Sequence, residues 1–342
     1  MTMRAFIVGV SGLVLTDDER AFMCAQQPWG FILFKRNIDT PAQVARLVGE
    51  LRKAVDRPDA PVLIDQEGGR VQRLGPPHWP IYPPGSVFGA LYDGDRAAGL
   101  EAARLSSRLI AADLADLGIT VDCLPLADVP VAGADAVIGN RAYGTAPDKV
   151  AAIARAVTEG LDQGGVLPVL KHIPGHGRAT ADSHAALPTV DTSAAELART
   201  DFAAFIPLAD LPMAMTAHVV FSAFDAAKPA TTSATMVDQV IRGVIGFQGL
   251  LMSDDVSMNA LAGSLAERTR AIFAAGCDIV LHCNGKLDEM RDVASETPEL
   301  SGKALERARK ALASRKAPKP FDRVAARAEL DALIDRAGIV SA

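Results

Sequence analysis

The densest group of reactive side chains in this sequence lies in one segment that follows an apolar run. Residues 171–177 read Lys-His-Ile-Pro-Gly-His-Gly and Asp182-Ser183-His184 follow, so that three of the six histidines fall within thirteen positions. An imidazole beside a carboxylate can act as a general acid or base, because the carboxylate orients the ring and stabilises its charged form. Gly175 and Gly177 permit a positive φ angle and Pro174 stiffens the chain, which predicts a shaped, mobile loop.

Carboxylates follow two other apolar runs, and arginines follow one of them. Residues 64–73 read Ile-Asp-Gln-Glu-Gly-Gly-Arg-Val-Gln-Arg, and Ser253-Asp254-Asp255 ends the run that begins at Leu250. Because successive strand residues point to opposite faces, we expect only one of Asp254 and Asp255 to face a site, while the other pairs or caps the next helix. Other polar residues near the ends of apolar runs are Asp122, Asp128, Arg141, His218 and His282. For His218 and for His282, we expect a role in the core or in supporting the site.

These side chains need a scaffold that brings them together, and the apolar runs indicate which one. Eight runs are continuous, as is typical of parallel strands buried on both faces; they cover 5–10, 30–34, 61–65, 120–124, 166–171, 212–217, 249–253 and 278–282. Helical patterns separate most of them, at 41–55, 97–117, 147–163, 193–206, 234–245 and 265–275. This alternation predicts an α/β fold, a single (β/α)8 barrel of the TIM type with long βα loops, in which the carboxyl ends of the strands carry the chemistry.

The alternative fold is a doubly wound open sheet, but the early glycines, Gly9 and Gly12, do not form the G-x-G-x-x-G pattern of dinucleotide-binding sheets. We expect the barrel to span residues 1–318. A C-terminal tail, 319–342, with a helix at 323–337, is expected to pack against it.

The composition of the chain excludes several classes of protein. The chain has 342 residues, a formal net charge of −6 and four cysteines without C-x-x-C spacing. This charge argues against a nucleic-acid partner, and the cysteines argue against a disulfide scaffold. No run approaches the ~20 apolar residues that span a bilayer. The run 5–16 contains two glycines and is followed by Asp17 and Asp18, so it predicts a buried strand rather than a signal peptide. We therefore expect a soluble cytoplasmic protein with no membrane partner.

Two chemistries fit the clustered side chains. Metal-assisted hydrolysis would use His, Asp and Lys at strand ends, but the sequence contains no His-x-His after the first strand and no His-Glu-x-x-His. Glycosyl transfer to water needs a carboxylate under the anomeric carbon, a proton donor for the leaving oxygen and polar groups for the sugar hydroxyls. Asp254, the His/Asp pair of the 171–184 loop and Asp65 with the arginines could fill those roles.

The motifs at 64–71, 171–184 and 252–258, in this order along the chain, resemble glycoside hydrolase family 3, and more narrowly its bacterial single-domain β-N-acetylglucosaminidases of peptidoglycan recycling. The resemblance extends over nearly the whole chain. It implies a retaining mechanism in which Asp254 is the nucleophile, His184 the general acid/base and Asp182 its orienting partner. It also implies a set of residues that bind the N-acetylglucosamine ring: Asp65, Arg73, Arg141, Lys171 and His172. Asn140 and Ile173 stand where the family commonly has aspartate and phenylalanine.

The resemblance further implies a substrate and no cofactor. The expected reaction removes a non-reducing terminal β-linked N-acetylglucosamine from GlcNAc-anhydro-N-acetylmuramic acid, with or without its peptide, in a monomer that needs no metal or organic cofactor. Within the family, a phosphorylase is the alternative, because a neutral histidine adds no negative charge against a phosphate acceptor. Outside it, the alternatives are a metal-dependent amidohydrolase on the same barrel and a non-catalytic sugar-binding barrel.

Overall fold

The computed structural model describes residues 3–179, 183 and 186–336. Nine parallel strand segments form the main sheet, in the order β7-β6-β3-β2-β1-β14-β13-β10-β8. Its members are β1 (Arg4–Val8), β2 (Pro28–Leu33), β3 (Val62–Ile64), β6 (Val121–Asp122), β7 (Leu167–Pro168), β8 (Leu170–Ile173), β10 (Met213–Thr216), β13 (Leu250–Asp255) and β14 (Ile279–His282). The short strands outside it are β4 (Gln66–Gly68), β5 (Val71–Gln72), β9 (Thr189–Val190), β11 (Val220–Phe221) and β12 (Asp225–Pro229).

The sheet curls into a barrel that closes through one interrupted strand. β7 and β8 stand at the two ends of the strand order, yet only Val169 separates them in sequence. The amide of Val169 donates to the carbonyls of Asp122 and Leu124, and the amide of Lys171 donates to the carbonyl of Pro125. The predicted (β/α)8 barrel is confirmed, with the fifth predicted strand present as two segments.

The barrel has an inner and an outer core, as the continuous apolar runs predict. Ile7 of β1 belongs to the inner cluster, whereas its neighbours Phe6 and Val8 belong to the outer cluster beneath the helices. The inner cluster also contains Trp29 and several residues that lie on or near α10, which therefore covers the N-terminal end of the barrel. The carboxyl end is left for polar side chains.

Eleven α-helices lie in the described part of the chain: α1 (Asp17–Gln26), α2 (Pro41–Ala54), α3 (Gly85–Gly94), α4 (Arg96–Asp116), α5 (Pro147–Gln163), α6 (Ala194–Arg199), α7 (Asp201–Phe205), α8 (Leu265–Ala275), α9 (Leu287–Glu296), α10 (Gly302–Ala313) and α11 (Arg323–Arg336). The bounds of α5 and α8 are those predicted. The segment 193–206, predicted as one helix, is two helices with a break at Thr200, and Met236–Val244 forms a π-helix. None of these helices is both long and apolar enough to cross a membrane.

The tail is anchored to the outside of the barrel. The Arg323 guanidinium at the start of α11 makes hydrogen bonds of 2.7 and 2.9 Å to the two carboxylate oxygens of Asp116, at the end of α4. Arg108 donates to the carbonyl of Lys319 at 2.7 Å, and α11 packs along α4. The boundary at residue 318 stays a prediction.

Candidate active site

A pocket of about 160 Å³ opens at the carboxyl ends of the barrel strands. Six of the eight predicted site residues line it: Asp65, Arg73, Arg141, Lys171, His172 and Asp254. They come from segments that are far apart in sequence: after β3, between β6 and α5, within β8, and at the end of β13. Asp182 and His184, the predicted acid/base pair, lie outside the described residues.

The floor of the pocket is a network of buried charges. The Lys171 ammonium, whose side chain is only 2% exposed, lies 2.9 Å from Asp65 Oδ1 and 2.6 Å from Glu67 Oε1. The second oxygen of Asp65 accepts a hydrogen bond from Arg73 at 3.0 Å. Arg141 binds Glu67 through two parallel hydrogen bonds of 2.8 Å each, the geometry in which a guanidinium holds a carboxylate most firmly. Two carboxylates thus share three cations.

This sharing keeps Asp65, Glu67, Lys171 and Arg141 charged. Burial alone would raise the pKa of Asp65, but Lys171 and Arg73 outweigh it and hold that pKa well below its usual range. Burial opposes ionisation of Glu67 as well, yet Lys171 and Arg141 lower its pKa to about 2. Burial would lower the pKa of Lys171, and the two carboxylates raise it instead. These groups therefore form a set of fixed hydrogen-bond donors and acceptors rather than a proton relay at neutral pH.

A second buried unit orients the histidine on the pocket wall. Asp128 is completely buried; its Oδ2 lies 2.7 Å from His172 Nδ1, and its Oδ1 accepts the backbone N–H of His176 at 2.6 Å. Burial would raise the pKa of Asp128, but His172 lowers it. The carboxylate favours a proton on His172 Nδ1, which leaves Nε2 as the ring nitrogen available to a ligand.

His176 itself does not line the pocket; its Nε2 lies 3.1 Å from the Ser183 hydroxyl. Gly175 and Gly177, which flank His176, are glycine for different structural reasons. Gly175 has a φ of +139°, whereas Gly177 does not adopt the positive φ that glycine permits. A Cβ at Gly177 would lie 2.1 Å from the carbonyl oxygen of Val129, so glycine is required there by close approach of two backbones.

The two adjacent aspartates differ in their hydrogen bonds. Both line the pocket, so the expectation that only one would face the site was wrong, but the expected pairing of the other is confirmed for Asp255. Asp255 accepts from the backbone of Ser257 and Cys283 at 3.1 Å each and from the Ser257 hydroxyl at 2.6 Å. Those bonds engage both oxygens of Asp255 in holding the loops after β13 and β14. Asp254 Oδ1 accepts the N–H of Asp255 at 2.8 Å, and its side chain is only partly buried.

Bulges in the strand pairing explain why neighbouring residues share the pocket. Met252 pairs with Ile279 and Asp255 with Leu281, so β13 uses one residue more than β14 over that stretch. β8 likewise has one extra residue against β10, between the pairs Leu170–Ala214 and Ile173–Thr216. An extra residue breaks the alternation of side chains and redirects one of them, which is why bulges are frequent next to active sites.

The other polar residues at strand ends have supporting positions. His218 is fully buried between the Thr231 hydroxyl (2.7 Å) and the carbonyl of Asp255 (3.0 Å), and burial lowers the pKa of its ring. His282 lies 3.5 Å from Glu289. Asp122 accepts the N–H of Gln66 at 3.0 Å, beneath the charge network. The supporting role expected for both histidines agrees with these contacts.

Sequence reasoning missed two carboxylates of the site. Glu67 and Asp128 were visible in the sequence but were given no role, although each binds a pocket residue directly. Phe34, at the end of β2, was also missed; the guanidinium carbons of Arg73 and Arg36 lie 5.2 and 5.0 Å from its ring centroid. Glu67 could have been found from the composition of residues 64–73. This motif contains two acids and two arginines, so more than one ion pair was to be expected there.

A partly buried carboxylate beside fixed charged hydrogen-bonding groups, at the carboxyl end of a parallel barrel, meets part of what glycosyl transfer requires. The chain belongs to glycosyl hydrolase family 3, since the model of the family's N-terminal domain matches residues 8–313. Beta-hexosaminidases from Chromobacterium violaceum and Neisseria meningitidis serogroup A are each 39% identical to it, over 81% and 83% of this chain and 78% and 79% of theirs.

Solved structures give the same family. Native NagZ from Neisseria gonorrhoeae is 32% identical and superposes with a TM-score of 0.86 over all of this chain and 99% of its own. The family 3 beta-N-acetylglucosaminidase from Paenibacillus sp. is 28% identical, with a TM-score of 0.84 over 97% of this chain and 66% of that one. The resemblance read from the motifs is therefore confirmed at the level of the family.

Proposed function

We propose that this chain is a retaining β-N-acetylglucosaminidase that removes a non-reducing terminal N-acetylglucosamine from GlcNAc-anhydro-N-acetylmuramic acid, with or without its peptide, during peptidoglycan recycling. The relatives named beta-hexosaminidase and NagZ support the sugar specificity. The observation that carries the proposal is the presence of Asp254 in one pocket with the Asp65–Lys171–Glu67 charge network. We further propose that the enzyme acts as a cytoplasmic monomer, which size-exclusion chromatography and cell fractionation can test.

The proposed chemistry has two steps. Asp254 attacks the anomeric carbon while the bond to the leaving oxygen breaks, and His184 gives that oxygen a proton. Water then attacks the glycosyl-aspartate, His184 takes the proton, and Asp254 is released as a carboxylate. Asp182 orients the imidazole and stabilises its protonated form. Both carboxylate oxygens of Asp255 hold the loops after β13 and β14, which suits a structural role for Asp255 rather than the nucleophile's.

The fixed charges are proposed to bind the sugar ring. Asp65 can accept hydrogen bonds from sugar hydroxyls, while Lys171, Arg73 and Arg141 donate. Their mutual pairing holds each group in place before the sugar arrives, which lowers the entropic cost of binding. His172, fixed through Nδ1 by Asp128, offers its other nitrogen to the same ligand.

Trapping the covalent intermediate tests the proposal. A fluorinated N-acetylglucosaminyl donor should inactivate the protein and leave its label on Asp254, as read by peptide mass spectrometry; Asp254→Ala should lose nearly all turnover. Asp255→Asn is the matched control, since it should still be labelled at Asp254. Label on Asp255, or none within 249–260, would contradict the assignment. N-acetylglucosamine 1-phosphate as the main product in phosphate buffer would contradict hydrolysis.

A further inference from the structure

A second, larger cavity lies at the opposite, N-terminal end of the barrel. Its volume is about 640 Å³, and its walls include Met3, Thr120 and Leu167, which precede or begin strands β1, β6 and β7. The remaining walls come from the loop between α2 and β3 and from the end of α10 and the residues after it. Sites for small organic ligands typically measure about 300–1,000 Å³, so the cavity has room for more than an inorganic ion.

Positive charge dominates the lining of this cavity. Arg57, Arg309 and Arg315 line it, and Asp59 is the one acidic residue among its lining residues. No carboxylate in the described part of the chain forms an ion pair with any of the three arginines. The whole protein carries a net charge of −6, so this is a local excess of about two positive charges in an acidic chain.

Backbone carbonyls hold two of these guanidiniums without neutralising them. Arg57 Nη2 donates to the carbonyls of Pro28 and, at 3.1 Å, Trp29, and Nη1 donates to Met3 Sδ at 3.0 Å. Its buried Nε has no hydrogen-bond partner among the described residues. Arg315 Nε donates to the carbonyl of Gly165 at 2.7 Å. Burial lowers the pKa of both arginines. An anion bound between them would offset this desolvation and satisfy the remaining N–H groups.

The rest of the lining is apolar and consists of Met3, Leu167, Leu312 and Ala313. A ligand that fills the cavity therefore needs an apolar part next to its charge. Arginine matches the oxygens of phosphate and carboxylate through paired hydrogen bonds. A phosphate monoester carries a charge of about −1.5 to −2 at neutral pH, which matches the local excess better than a single carboxylate does.

We propose that this cavity is a second binding site, distinct from the carboxyl-end pocket, for a phosphate monoester with an apolar substituent. The phosphate lies among Arg57, Arg309 and Arg315, and the substituent packs against Leu167 and Leu312. The site shares no residue with the carboxyl-end pocket, so the proposal does not depend on the reaction catalysed there.

Calorimetry on the full chain tests the proposal with three probes. Phenyl phosphate should bind with one-to-one stoichiometry and more tightly than inorganic phosphate, and neutral phenol should not bind. The double variant Arg309→Gln/Arg315→Gln should weaken phenyl phosphate by at least about tenfold, as expected for losing charge-assisted hydrogen bonds. Its kcat/KM on an N-acetylglucosaminide should stay within about twofold of the parent, since both residues lie at the other end of the barrel.

Two controls identify the site. Lys310→Gln removes a positive charge from the same helix but faces a different cavity, so phenyl phosphate affinity should not change. Arg73→Gln removes a cation from the carboxyl-end pocket and should also leave that affinity unchanged. Loss of binding in Arg73→Gln, unchanged binding in the double variant, or equal affinities for phenyl phosphate and inorganic phosphate would each overturn the proposal.

Discussion

Replacing Glu67 by glutamine is the sharpest test of the charge network. Glu67 is only 5% exposed at its side chain and joins two cations, Arg141 by paired bonds of 2.8 Å and Lys171 at 2.6 Å. Glutamine keeps nearly the same shape but removes the charge, and it replaces one acceptor oxygen with a donor that faces a cation. The substitution leaves Lys171 paired with Asp65 alone and leaves Arg141 without its carboxylate.

Two independent routes give the size of the effect. Breaking a buried ion pair by removing one partner costs about 3–5 kcal/mol of stability. The pKa of Glu67 falls from its ordinary 4.5 to about 2 in the folded protein, and each unit corresponds to about 1.4 kcal/mol, which gives about 3 kcal/mol. A depressed carboxyl pKa stabilises the fold above pH 4.5, and this contribution disappears as the pH falls towards 2. At pH 3, about 1 kcal/mol should remain.

Urea unfolding of Glu67→Gln at pH 7 and at lower pH measures both quantities. We expect a loss of about 3 kcal/mol at pH 7 that shrinks below half by pH 3, together with lower kcat/KM on an N-acetylglucosaminide. Glu50→Gln is the control, because Glu50 forms only a partly exposed pair with Arg20 at 3.7 Å, and its replacement should cost at most about 1 kcal/mol. A Glu67→Gln loss below that of the control, or one that does not depend on pH, would refute the reasoning.

Four further substitutions test the proposed sugar-binding and acid/base residues. Asp128→Asn removes the charged partner of His172 Nδ1, and kcat/KM should fall about tenfold or more; an unchanged value in steady-state assays would make Asp128 a packing residue. Asp65→Ala should cost about 2–4 kcal/mol in kcat/KM, and a nearly silent substitution would remove Asp65 from the site. His184→Ala should slow hydrolysis of a natural disaccharide by about 10²–10⁴-fold but affect a dinitrophenyl glycoside far less in the first step, with a burst of dinitrophenolate. Asp182→Asn should show the same pattern more weakly; equal loss on both substrates without a burst would contradict the acid/base role.

The barrel could be predicted because a strand buried on both faces requires a continuous apolar run. The helices α5 and α8 were predicted to the residue because Pro147 and Ser264 give clear starts, and Gly164 and Gly276 clear ends. Helix α1 was not predicted, although Thr16 and Glu19 form a capping box, which is recognisable in the sequence as the pattern Thr-x-x-Glu. The short helices α3, α9 and α10 were missed as well.

The sequence was sufficient to predict which residues gather at the site, but not which of them contact one another. Polar residues at the carboxyl ends of parallel strands must meet, which is why Asp65, Lys171 and Asp254 could be grouped from sequence. The pairing of Glu67 with both Lys171 and Arg141 depends on side-chain directions that spacing does not determine. The strict alternation applied to Asp254 and Asp255 failed for a related reason, because an extra residue in one strand leaves no mark in the residue types.

The bulges in β8 and β13 carry a consequence for length variation in this barrel. Deleting one residue from either bulge would restore regular pairing with the neighbouring strand and remove a local irregularity from the sheet. The same deletion would turn a pocket side chain, from Lys171-His172 or from Asp254, towards the apolar interior. The shortened chain would then have more regular hydrogen bonding between its strands, but it would lose a side chain from the pocket. The number of residues in these two strands therefore suits the ligand pocket rather than regular pairing within the sheet.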